Sequence, residues 1–246
     1  MKRHYLFIAL LIFVPACSGI TPRFVNHPRP DMTISFDTFE DIGCPPDKHG
    51  FRRCSSDSPL DILGCDQIRK PSDLLGGLEP SYPIALCFVE PYRESDEPGK
   101  ANAEMIAEGK YFYRIGGIYP LYVRYVVFRD DQFHLIKVED EFRDVFAPIE
   151  TADEALSYVL AVKNLSAYYS LDFNPTYKYF ANEIEDTYVD VVASGYLVHL
   201  YYYEMFGCGS HITYAVDMHV TTQGHIEEIE RGPVYKNPTE DGLCID

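Results

Sequence analysis

The residues of this chain best placed to do chemistry are three histidines, an aspartate and one cysteine. His199 and His219 fall on two stretches of alternating apolar and polar residues, near 196–206 and 212–222, which read as adjacent strands. Val198, Leu200 and Tyr202 form the apolar set on the first, and Tyr214, Val216, Met218 and Val220 form it on the second. Matching those faces pairs even-numbered residues with even-numbered ones, because strand side chains alternate with period two. One such register sets Leu200 opposite Met218 and Val198 opposite Val220. His199 then faces His219, and Tyr201 faces Asp217, on the opposite side of the sheet. Two imidazoles across a sheet could hold Zn²⁺ or Cu²⁺, with Asp217 or His211 as a third ligand. The plainer reading is a pair of polar residues on a wet sheet face. A divalent metal at these residues is the one cofactor the chain suggests, and none other is expected.

Cys208-Gly209-Ser210-His211 offers a second constellation. A thiol with a nearby imidazole is the makings of an activated nucleophile. As a zinc site it is half a motif, since no second pair lies at ligand spacing. Acidic clusters occur at Asp130-Asp131, Glu139-Asp140-Glu141, Glu183/Glu185/Asp186 and Glu227-Glu228/Glu230. None fits the EF-hand pattern, and solvated faces and turns account for most of them. Paired carboxylates of the glycosidase kind have no specificity in a chain with 38 acidic residues. The motifs of serine hydrolases, P-loop proteins, zinc peptidases and dinucleotide-binding proteins do not occur. With 21 basic residues the formal charge is −17, which argues against nucleic-acid binding. Tyrosines cluster at Tyr111/Tyr113, Tyr119/Tyr122/Tyr125, Tyr168-Tyr169 and Tyr201-Tyr202-Tyr203. Strand propensity and core packing explain most of these, although exposed Tyr is also a good contact residue for a partner.

The amino terminus carries an address. Lys2 and Arg3 precede an apolar run of ten, Tyr5 to Val14, too short to span a bilayer and suited to a secretory signal. Val14-Pro15-Ala16-Cys17 follows. Here the sequence resembles the type II signal peptide of bacterial lipoproteins, with Pro15 a departure from the commoner residue at that place. The resemblance implies cleavage after residue 16 and acylation of Cys17, palmitate included, and thus a cell-envelope protein anchored by lipid. The ordinary alternative is a plain secretory signal, with Cys17 a stray thiol. Ser18 in place of Asp implies an outer-membrane destination by the enterobacterial sorting pattern. Loss of Lys2 and Arg3 leaves 19 basic residues against 38 acidic ones, near −19. Such a surface repels anionic headgroups, so the lipid is the expected membrane contact. An envelope protein or peptide is the other expected partner.

Six cysteines remain: Cys44, Cys54, Cys65, Cys87, Cys208 and Cys244. An even number in an oxidising compartment predicts three disulfides among 15 possible pairings. Proximity along the chain favours Cys208 with Cys244 and the other four among themselves.

The elements that must position these residues follow from pattern. Residues 17–43 read as a lipidated tether, and 44–100 as a loop-rich, disulfide-stapled part whose best buried stretch is Ser81 to Val89. Two β-rich runs, Leu121 to Phe128 and Phe133 to Val138, predict a hairpin within 111–138. Glu139 to Phe146 reads as a short helix ended by Pro148. Thr151 with Glu154 forms a capping box that opens an amphipathic helix over 151–164. Strands are predicted near 187–193, 196–206, 212–222 and 226–230, with Ser194-Gly195 and Gln223-Gly224 as turns. The expected fold is α+β: an antiparallel meander on one main helix, with 44–246 as a single compact domain. Thr151 to Lys163 and Tyr214 to Ile229 weakly resemble PepSY-like and cystatin-like domains. That resemblance implies a binding or inhibitory module rather than a catalyst. Together these readings predict a lipid-anchored envelope protein with a non-catalytic binding role. The alternatives are a thiol enzyme or hydrolase using Cys208 and His211, and a metal-binding lipoprotein using His199 and His219.

Overall fold

A computed structural model describes residues 21–93, 95–203 and 205–245. The signal segment and Cys17 lie outside the described residues. In chain order the strands begin with β1 (Arg23–Val25), β2 (Arg52–Arg53), β3 (Gln67–Arg69), β4 (Ile84–Val89) and β5 (Tyr113–Ile115). Next come β6 (Leu121–Arg129), β7 (Gln132–Ile136), β8 (Lys178–Tyr179), β9 (Glu183–Glu185) and β10 (Tyr188–Val192). The last are β11 (Gly195–Tyr203), β12 (Gly207–Cys208), β13 (Ile212–Val220), β14 (Ile226–Lys236) and β15 (Cys244–Ile245). Among the described residues four α-helices intervene: α1 (Pro59–Ile62), α2 (Pro98–Glu108), α3 (Glu139–Phe146) and α4 (Ala152–Val162).

These build an α+β fold with two main sheets. The N-terminal sheet runs β2-β3-β4-β6-β5, with β7 also paired to β6. The C-terminal sheet runs β10-β11-β13-β14-β8. All their pairings are antiparallel. The predicted hairpin is β6–β7, turned by Asp130 and Asp131 at φ 52° and 57°. Two left-handed residues suit the twist of a two-residue hairpin, and Asp tolerates that region. The first acidic cluster is therefore turn chemistry.

Helix α4 starts as its sequence predicts. Thr151 Oγ1 accepts from the Glu154 N–H at 3.1 Å, and the Glu154 carboxylate accepts from the Thr151 N–H at 3.0 Å. The helix is not amphipathic in place, however, because every residue from Glu154 to Val162 is buried. It lies between the sheets. One side meets Val198, Leu200, Val216, Met218 and Val220 of the C-terminal sheet within a core cluster that also takes Ile84, Tyr125 and Val127 of the N-terminal sheet. Tyr125 donates its phenol to the Ala161 carbonyl at 2.8 Å. On another side Gly77 approaches so closely that a Cβ there would stand 2.6 Å from the Asp153 carbonyl oxygen.

The N-terminal sheet is covered on its other face as well. Phe36, Phe39, Leu60, Ile68, Ala85, Tyr122 and Val126 pack there around two disulfides, Cys44–Cys54 and Cys65–Cys87. Burial on both faces explains why Leu121 to Phe128 is an almost unbroken apolar run. The stapled region is thus more than loop, since β2, β3 and β4 extend the hairpin into the sheet.

The tether reading of 17–43 is corrected from Arg23 onward. β1 pairs in parallel with β9, Phe24 packs against a third buried cluster, and Phe36 and Phe39 enter the second. Isolated apolar residues at irregular spacing fill sockets without producing a periodic signal. Helix α2 was also not legible, because none of its residues is buried and no apolar stripe marks it.

Candidate functional site

The outer face of the C-terminal sheet carries the site. Even-numbered residues of β11 and β13 face α4, and Tyr201 and Ala215 on the other side join the third cluster, with Tyr179, Ile184 and Val234. Strand β9 lies over that face, held through Asp186. This aspartate is buried, and its carboxylate accepts from the N–H groups of Ser170 at 2.8 Å, Leu171 at 2.9 Å and His27 at 3.2 Å, and from the Asn26 amide at 3.1 Å. A solvated acidic cluster at 183–186 is therefore the wrong reading for Asp186. Glu183 and Glu185 flank buried Ile184, and all three residues border a cavity.

The cavity has a volume of about 220 Å³ and opens between β9 and the strands β11, β13 and β14. Ala215 and Gly232, directly opposite one another across β13 and β14, leave its floor deep. Beside them one row crosses four strands. Tyr188 pairs with His199, His199 with Asp217, and Asp217 with Glu230. A register shift between Asp217 and Met218 falls beside this row, and such bulges re-aim side chains.

His199 Nδ1 lies 2.6 Å from Asp217 Oδ1, and Tyr188 stacks on the imidazole at 5.0 Å between centroids. The carboxylate accepts the Nδ1–H, and the other ring nitrogen is Nε2. Among the described residues that Nε2 is buried without a hydrogen-bond partner. Tyr201 stands edge-on to the same ring and donates its phenol to the Glu185 carbonyl. His27 reaches Glu185 at 3.2 Å, and Arg23 reaches Glu183 at 3.4 Å, both from β1. Burial pushes the Tyr188 phenol up to about 12, with the charges of Asp217, Glu185 and Asp190 adding to it. Burial also raises the Tyr201 phenol.

The expected His199–His219 pair does not form. The register is two residues away from the one expected, with Val198 opposite Met218 and Leu200 opposite Val216. Parity of the apolar set selects the face, and any shift by two keeps it. Gly195 helps select the register. At φ +140° it lies so close to Val220 that a Cβ would be 2.1 Å from that carbonyl oxygen. His219 instead stands opposite Leu197 and shares a hydrogen bond with Ser194 Oγ at 2.9 Å. His211 is buried elsewhere, where its Nε2 donates to the Leu243 carbonyl at 3.3 Å. Of the four candidate ligands only His199 and Asp217 come together. No group of three or more His, Cys, Asp or Glu able to hold a metal occurs among the described residues.

The thiol reading of Cys208 is corrected too. Cys208 is bonded to Cys244, as predicted from proximity, and β12 pairs with β15 around that bond. The sulfur is committed to the staple, and His211 secures the same terminal segment. Glu228 pairs with Arg231 at 2.8 Å, while Glu230 is exposed at the border of the cavity, so the acidic cluster at 227–230 divides between two settings. Tyr188 carried no chemical signal beyond its strand. Only the observed register places it on His199.

No protein family, curated protein or solved structure matches this chain.

Proposed function

We propose that this chain is a lipid-anchored protein of the bacterial cell envelope that acts as a binding module, with its binding surface on the outer face of the C-terminal sheet. The observation that carries the proposal is the complete pairing of Cys44, Cys54, Cys65, Cys87, Cys208 and Cys244 as disulfides. Such pairing belongs to an oxidising compartment. It agrees with the secretory features of residues 1–17 and takes the Cys208 thiol out of use as a nucleophile. The binding role is supported by a cavity between β9 and the sheet that is lined by both polar and apolar residues. Its one imidazole is locked to Asp217, and no Ser, Thr or Cys lines the cavity as a nucleophile for it to activate.

Fractionation of the producing cells tests the anchor. The wild-type chain should sediment with membranes and label with palmitate. A Cys17→Ser variant should do neither, and should accumulate as an unprocessed or soluble form. Equal palmitate labelling of the two would contradict the proposal.

A further inference from the structure

One edge of the N-terminal sheet is left open. Strand β6 pairs with β4 on one side and with β5 and β7 on the other, and among the described residues β7 has no neighbour beyond it. In an antiparallel pair, successive residues point their main-chain groups alternately towards the partner strand and away from it. The two-residue turn makes Arg129 and Gln132 a bonded pair, so Val127 with His134 and Tyr125 with Ile136 are the next bonded pairs. Phe133 and Leu135 therefore turn their N–H and C=O groups to the free edge. Two hydrogen bonds agree with this. Phe128, opposite Phe133, sends its N–H the other way, to the Pro83 carbonyl at 2.9 Å. Lys137 comes next in the outward row, and the Glu141 carboxylate accepts its N–H at 2.7 Å. The chain thus closes its own edge at Lys137. Among the described residues it leaves the main-chain groups of Phe133 and Leu135 without a partner.

A groove of about 650 Å³ lies along this edge. It borders Phe133 and Leu135 on one face of β7 and His134 and Ile136 on the other, which only a hollow over the free edge can do. Ile62 and Leu63 of α1 wall it on the first face, and Glu141 and Asp144 of α3 on the second. Ile62 is 80% exposed, an apolar wall with nothing packed on it. Sheet edges are ordinarily blunted by shortness, charge or proline. The other end strands obey this: β2, β5 and β8 have two or three residues, and β10 carries Asp190. β7 offers five residues, Gln132 to Ile136, with no charge, proline or glycine, a length of ~17 Å. We infer that the free edge of β7 takes an extended segment of a partner polypeptide as an added strand. Phe133 and Leu135 supply the main-chain hydrogen bonds, and alternate side chains of the segment rest on Ile62 and Leu63. Arg129 and Lys137 balance Glu141 and Asp144 around the groove, so main chain and apolar wall carry the binding. A second copy of the chain is disfavoured as the occupant, because two bodies of formal charge −17 repel each other. This surface is separate from the one proposed on the C-terminal sheet and stands without it.

Fluorescence anisotropy of the full-length protein in mild detergent tests this. The probe is a labelled octapeptide of alternating valine and threonine, capped at both ends, and saturable binding is expected. An added strand turns only every second amide to its neighbour. N-methylation of one alternate set of amides should therefore weaken binding at least tenfold, and methylation of the other set should leave it nearly unchanged. Ile62→Asp should also weaken binding at least tenfold. Val191→Asp, on the end strand of the other sheet, should not. Both positions are exposed, so neither variant should lose its fold, and a thermal melt checks that. Equal effects of the two methylations, equal weakening by the two variants, or no binding at all would overturn the inference. Sedimentation equilibrium of the protein alone tests the other occupant. A monomer is expected, and a dimer that Ile62→Asp dissociates would assign the edge to a second copy and overturn the partner segment. A chain that is palmitoylated at Cys17 and carries three disulfides, yet binds no probe, would refute the edge site while leaving the envelope anchor in place.

Discussion

Asp186 is buried, and both of its carboxylate oxygens accept hydrogen bonds. It joins residues 26–27 and 170–171 to the strand that roofs the cavity. Burial pushes its carboxyl up, but the N–H groups of Leu171 and Ser170, the Asn26 amide and the His27 N–H outweigh that and hold it below 3.8. A carboxyl held lower in the folded chain than in the unfolded chain stabilises the fold above the unfolded value. That contribution is lost as pH falls through the folded value. Asp186→Asn puts an amide N–H among these donors and should cost about 2–4 kcal/mol at pH 7. Urea denaturation at a series of pH values checks this. The difference between wild type and variant should shrink as pH falls below 3.8, and an undiminished difference at pH 2.5 would contradict the role given to the charge.

At this scale the sequence was informative about type and silent about partners. Glu183, Glu185, Asp186 and Glu230 look alike as letters in acidic clusters. Ion pairing, burial and the cavity separate them only in three dimensions. His199 and Asp217 were both singled out from the strand pattern, yet their meeting depends on a two-residue choice of register that alternation does not make.

Among the elements, α4 is the one whose beginning was written most plainly. Its capping box forms in full, and its central place between the sheets makes that start matter for both. Thr151→Ala removes the acceptor for the Glu154 N–H. The expected loss is about 1 kcal/mol, and the melting temperature should fall by about 2–4 °C. Circular dichroism melts measure it, and an unchanged midpoint would mean that packing alone sets the helix start. The hairpin, α3 and the four C-terminal strands were legible for the same reason, a regular period with turn or cap chemistry at the ends. The β1–β9 pair was not, because three-residue strands joined across about 160 positions leave no local pattern. Helix α2 was not, because its inward face, Ala101, Asn102 and Met105, is only half-buried and carries too few apolar residues to give a period.

For the molecule as a whole, two sheets share one helix layer, and each sheet has a further cluster on its far side. The disulfides brace this arrangement. Two secure the outer cluster of the N-terminal sheet, and the third ties the last residues to β12. With 38 acidic residues against 21 basic ones the chain is repelled by anionic lipid, so the proposed membrane contact falls to the acyl group and not to the folded surface. The proposed reading of the protein as a lipid-anchored envelope module therefore turns on two chemical states of its cysteines, the acylation proposed at residue 17 and the pairing of the other six.

Intact mass spectrometry under denaturing, non-reducing conditions, with an alkylating reagent present, reads both in one experiment. The account predicts a mature chain that begins at Cys17, carries the mass of its acyl groups and takes up no reagent. A chain that retains residues 1–16 or lacks the acyl mass, or one that is alkylated at Cys208 and Cys244, would contradict it.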